Sequence, residues 1–223
     1  MEQERQDSTA SSPGPEDDYL VDLDFDDGWL GLTLHLGIRA EARYIAAERV
    51  EQFAPQRLSV SRAALQQELE KRALTAYKSG PVLTAAAYTE GGVFLAELSA
   101  FAYGEDGVQR PSPEEYLPRL VRWPHAKMQG QPRVSDVQLP LGPAVRFQAV
   151  LAEKRRLGRG KKLSEALLYG VWPDGREEIL VVEARWFDFE RTDELADLVD
   201  GLMPTMGLLP VPAEPATDAS GEH

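Results

Sequence analysis

The stretch "LLYGVWPDGREEILVVEARWFD", residues 167–188, decides the class of fold. Two apolar runs flank Pro173, Asp174, Gly175 and Arg176, a tight-turn signature. Proline presets one turn torsion, and aspartate and glycine tolerate the others. After the turn, Leu180, Val182, Ala184 and Trp186 recur at every second position. That period belongs to a strand and not to a helix. Two strands joined this closely must be antiparallel neighbours. Upstream the pattern repeats. In "PAVRFQAVLAE" (143–153), Val145, Phe147, Ala149 and Leu151 share a face, and "VSDVQL" (134–139) also alternates. With "KLSEALLYGVW" (162–172), the second half reads as four successive strands.

Working outward, the first half mixes periods. "WLGLTLHL" (29–36) places Leu30, Leu32, Leu34 and Leu36 on one strand face. "EARYIAAERVEQFA" (41–54) is a candidate helix with Ala46, Val50 and Phe53 on one side. "SRAALQQELEKRALTAYKSG" (61–80) is the clearest helix: Leu65, Leu69, Ala73 and Ala76 form a stripe, Ser61 is the N-cap and Gly80 the stop. "VLTAAAYT" and "VFLAELSAFAY" flank Glu90, Gly91 and Gly92, a hairpin signal. In "SPEEYLPRLVRW" (112–123), Ser112, Pro113 and Glu115 make a capping box, and Pro118 keeps the helix short. "TDELADLVDGLM" (192–203) turns Leu195, Leu198, Val199 and Leu202 inward before Pro204.

The expected fold is therefore α+β: an antiparallel sheet of about six to seven strands sandwiched by helices. One domain spans residues 19–209, with residues 19–28 as an acidic arm or edge strand. Residues 1–18 and 210–223 are polar, Pro/Ser-bearing tails, expected to be disordered. A Trp-led first strand, a long helix, a hairpin, "LPLGPAVRFQAVL", then "LYGVWPDGREEILVVEARWFD" and a closing amphipathic helix resemble the PsbP-like fold. That fold is shared by an extrinsic photosystem subunit, a Ran-binding nuclear-transport factor and many bacterial proteins. The resemblance covers about residues 29–209 and implies docking to larger partners without catalysis. It carries no site residues across.

The charge is unevenly placed. Residues 1–27 hold ten acids and one base, and residues 210–223 three acids and no base. Residues 28–209 are left with 24 acids and 23 bases, although the whole chain carries −13. Acidic tails solubilise or meet a basic partner. Nucleic acid as the main ligand is disfavoured, because phosphates need clustered cations. With no cysteine in the chain, disulfides, thiolate metal sites and a cysteine nucleophile are excluded. No secretory signal or spanning segment is read, and a reducing, cytoplasmic location is expected.

Candidate sites are few. "DDYLVDLDFDDGWLGL" (17–32) sets Tyr19, Val21, Leu23 and Phe25 against Asp22, Asp24 and Asp26. The aspartates imitate the start of a calcium loop, but Asp27 holds the position that needs glycine and Thr33 the position that needs the closing glutamate. No metal is expected there. The segment instead reads as a strand that adds to a sheet edge, its own or a partner's. A second feature, "EKRRLGRGKKLSE" (153–165), packs Lys154, Arg155, Arg156, Arg159, Lys161 and Lys162 into a hairpin tip. It is a candidate anion site, although it lacks interleaved aromatics and a phosphate-loop spacing. The acidic tail folding back on this tip is a further expectation. Trp123, beside Arg122, is a candidate partner contact. Glu97, Glu183 and Arg185 interrupt apolar strands and read as a solvated or cross-strand paired face. His35, His125 and His223 complete no catalytic pattern. The function expected is a soluble, non-catalytic adaptor that docks a protein partner, with no cofactor. The alternative is a small-ligand or anion-binding domain using residues 153–162.

Overall fold

The computed structural model describes residues 19–26, 28–104, 107–123, 126–154 and 160–211. In chain order these form β1 (Tyr19–Asp22), β2 (Trp29–Gly31), α1 (Arg39–Val50), α2 (Arg62–Tyr77), β3 (Leu83–Tyr88), β4 (Phe94–Tyr103), α3 (Pro113–Leu120), β5 (Ala126–Leu139), β6 (Gly142–Lys154), β7 (Lys161–Val171), β8 (Ile179–Trp186), α4 (Thr192–Leu202) and β9 (Gly207–Pro210). Seven strands make one sheet in the order β2-β3-β4-β8-β7-β6-β5, every neighbouring pair antiparallel. β1 and β9 form a separate two-stranded ribbon. The fold is thus α+β.

Alternation along the strands builds two unlike faces. Leu98 and Ala100 of β4, Val182, Ala184 and Trp186 of β8, and Leu167, Tyr169 and Val171 of β7 bury one face against Leu195, Val199 and Leu202 of α4 and against Val21 and Leu23. The other face is covered in two patches. Ala42, Ala46 and Val50 of α1 and Leu65, Leu69 and Ala73 of α2 cover Leu30, Ala86 and Tyr88. At the far side, Leu120 of α3 covers Val145, Phe147, Leu168, Ile179 and Val181. Each fully buried Leu, Ile or Phe contributes about 1.5–3 kcal/mol. α3 comes very close to the sheet: a Cβ added at Gly170 would lie 2.7 Å from Leu120 Cδ1.

The capping signals act as read. Ser61 Oγ accepts the Ala64 N–H, and Ser112 and Glu115 exchange both capping-box bonds. Four details differ from the sequence reading. β2 ends at Gly31, because the Thr84 N–H is taken by Thr33 Oγ1 instead of a strand carbonyl. Leu36, expected on the buried face, is 68 % exposed. β5 begins at Ala126, well before Val134: Gly130 and Pro132 lie within a register shift on an edge strand, where both residues are tolerated. Finally, the arm pairs with β9 rather than with an edge of the main sheet. No helix among the described residues is long and apolar enough to cross a membrane.

Candidate functional site

Between the α1/α2 patch and the α3 patch, one strip of the sheet has no helix over it. Glu97, Ser99 and Phe101 of β4 point there, alternating with the buried Leu98 and Ala100, as do Glu183 and Arg185 of β8. With Glu68, Lys71, Arg72 and Thr75 of α2 and Ser79 just beyond it as a wall, they enclose a groove of about 540 Å³. Glu97 and Arg185 are direct cross-strand partners. Arg72 holds Glu68 at 2.9 Å and Glu97 at 3.1 Å, with its guanidinium 3.4 Å from the Phe94 ring centroid. Arg185 holds Glu183 and Glu153, both at 2.6 Å. Burial alone would lower the Arg185 pKa, but Glu183, Glu153 and Glu97 outweigh it and hold the guanidinium above its ordinary value. Burial pushes the Tyr88 hydroxyl up; it donates to Glu68 Oε1 at 3.3 Å. Lys162, from β7, lies 3.6 Å over the Phe187 ring.

Each guanidinium therefore faces two carboxylates. The floor of the groove is an ion-pair ladder, suited to recognising polar groups.

The two edges of the sheet form a second feature. β2 has three residues, and Arg49 Nε donates to Gly31 O at 3.0 Å, closing its outer side. β5 has fourteen residues, ten of them exposed. Trp172 N–H donates to Pro143 O, so Pro143 and its alternates along β6 face β7 while Gly142, Ala144 and Arg146 face β5. Their register partners are Leu139, Val137 and Ser135. These three direct their backbone groups inward to β6, and Val134, Asp136 and Gln138 direct theirs outward. The Val134 side chain is 47 % exposed.

The residues singled out from sequence fall in different places. Val21 and Leu23 are buried, and Tyr19 and Phe25 pack partly against the same core, Phe25 5.8 Å from Trp29. The apolar row of the arm thus lies on its own molecule, while Asp22, Asp24 and Asp26 are exposed. Asp24 N–H donates to Thr205 Oγ1 and Asp26 Oδ1 accepts the Gly28 N–H. Among the described residues no three acidic or histidine side chains gather to hold a metal ion. Lys154, Lys161 and Lys162 are exposed, Lys154 directly opposite Lys161. Arg155, Arg156, Arg159, His125, His223 and residues 1–18 and 212–223 lie outside the described residues, and with them the expected tail-to-hairpin contact, whereas Pro210, expected in the tail, closes β9. Trp123 is half-buried, its ring 5.8 Å from Phe147, under α3. His35 is exposed.

One arrangement went unread in the sequence. Arg146 holds Asp200 of α4 through both carboxylate oxygens at 2.9–3.1 Å, and Tyr169 donates to Asp200. Arg146 also donates to Gln148, Gln148 to Glu165, and Thr192 of α4 to Glu165. This network ties α4 to the sheet. The signal was present: Gln148 and Glu165 interrupt otherwise apolar strands. No protein-family model matches the chain, and no curated protein shows detectable similarity to it.

Proposed function

We propose that this chain is a non-catalytic docking domain that accepts an extended segment of a protein partner along the outer edge of β5. The observation that carries this reading is the row of outward backbone groups at Val134, Asp136 and Gln138, with no strand or helix over it among the described residues. An uncovered edge pairs with any extended backbone presented to it. Natural sheets usually blunt such edges, as β2 is blunted here. The protection on β5 is confined to the Gly130–Pro132 irregularity, which leaves residues 133–139 regular. The PsbP-like resemblance of the element order supports the same reading, since it implies docking without catalysis. The acidic face of the arm, Asp22, Asp24 and Asp26, remains free to add charge to the contact. The absence of cysteine fits a reducing compartment such as the cytoplasm.

Proline provides the test, because it deletes one backbone donor. Asp136→Pro removes an outward N–H that β6 does not use. A partner captured by the wild-type chain is expected to be lost by Asp136→Pro, while the thermal midpoint stays within a few degrees. Equal capture by the two chains would overturn the proposal. Capture of a second copy of the same chain, visible as a dimer that Asp136→Pro dissolves, would identify the partner as itself.

A further inference from the structure

We infer that the groove between α2 and the open strip of sheet is a binding site for a small organic anion. The inference is independent of the β5 edge. Its basis is which charges the fold uses and which it does not. Arg72 and Arg185 each hold two carboxylates, Glu68 with Glu97 and Glu183 with Glu153, so neither guanidinium is free. Lys71 and Lys162 have no carboxylate within ion-pair distance among the described residues, although both line the groove. The two ammonium groups come from opposite sides, Lys71 from α2 and Lys162 from β7. Lys162 is held in place by the face of Phe187, itself 6.5 Å from Phe94. Counted over the lining itself, four bases, Lys71, Arg72, Lys162 and Arg185, face three acids, Glu68, Glu97 and Glu183, and the two lysines are the charges without an ion-pair partner among the described residues.

The uncharged lining narrows the ligand further. Ser79 and Ser99 bring hydroxyl donors, while the Thr75 hydroxyl already donates to Lys71 O and can only accept. Phe101, Phe187, Leu32 and Ala76 bring apolar surface that a bare inorganic ion would leave uncovered. The volume, about 540 Å³, lies in the range of small-molecule sites. A cation would have to compete with the guanidinium groups for the carboxylates. A nucleic-acid strand needs a longer run of free cations than two lysines. The fitting ligand is an apolar, ring-sized frame with one carboxylate or phosphate head.

Four probes separate these elements in amide-resolved NMR titrations of the full chain. Phenyl phosphate and phenylacetate share a frame and differ in the head. Inorganic phosphate has a head alone, and 2-phenylethanol a frame alone. At least one organic anion is expected to shift the amides of Ser99, Phe101 and Arg185. The double variant Lys71→Met/Lys162→Met should raise its Kd by about tenfold or more, because two charge-assisted contacts are lost. Its thermal midpoint should fall by no more than a few degrees, since neither lysine is ion-paired and only the exposed Lys162–Phe187 contact is lost. Added salt should weaken binding. Whichever head binds more tightly identifies the chemistry. Three results would overturn the inference: no groove shift with either organic anion, unchanged affinity in the double variant, or inorganic phosphate or 2-phenylethanol binding as tightly as the anions.

Discussion

The two edges of the seven-stranded sheet meet the same physical problem and end differently. β2 is cut to three residues, and Arg49 covers the outward carbonyl of Gly31. The chain then leaves the ladder and is clamped: Glu41 accepts the backbone N–H groups of His35, Leu36 and Gly37 at 2.7–3.0 Å. β5 runs for fourteen residues and has an irregularity only in its first half. Closing an edge takes dedicated side chains, and this sequence supplies them at β2 alone. An edge left open along a regular stretch is a surface on which a second backbone can pair.

The largest expected effect separates inward from outward amides on β5. Ser135→Pro removes an N–H that serves the β6 ladder and should cost about 3 kcal/mol, read as a lowered denaturation midpoint. Asp136→Pro, one residue away, should cost no more than about 1 kcal/mol. Similar losses at both positions would mean that the outward amides are not free. Next comes Arg49→Met. Loss of one partly exposed charged donor should cost about 1 kcal/mol. It should also make β2 an open edge, so that self-association, measured by sedimentation, rises. The smallest effect lies in the clamp. The His35 N–H, helped by those of Leu36 and Gly37, holds the Glu41 carboxyl below its ordinary range. A depressed folded pKa gives stability that is fully present above the unfolded value, about 4.3, and is lost as pH falls through the folded value. Glu41→Gln should therefore lower the neutral limb of a Tm-against-pH curve slightly and flatten its acid limb below about pH 4.5, so that the two chains converge in acid.

Much of this contrast was legible in the sequence. The period-two runs at 143–153, 162–172 and 179–186 became β6, β7 and β8, because a half-buried strand must alternate. Ser61 and Ser112 started helices where their side chains could reach the first free N–H groups. The extra length of β5 was hidden because Gly130 and Pro132 read as a loop, and only an edge strand excuses them. β9 was hidden because four residues carry too short a pattern, and its partner β1 is remote in sequence, Tyr19 opposite Pro210, 191 residues away. Glu97, Glu183 and Arg185 were read as a paired polar face. That their face stays uncovered depends on where α2 and α3 stop, which no local pattern encodes. Lys162 was read as part of a basic tip, but its place over Phe187 comes from the pairing of β7 with β8.

Residue-resolved amide hydrogen exchange along β5 tests the open edge most directly. Val134, Asp136 and Gln138 should exchange rapidly in the isolated chain, while Ser135 and Val137 should be protected by β6, giving an alternating pattern. Uniform protection across residues 134–138 would show the edge already covered and would contradict the proposed docking surface.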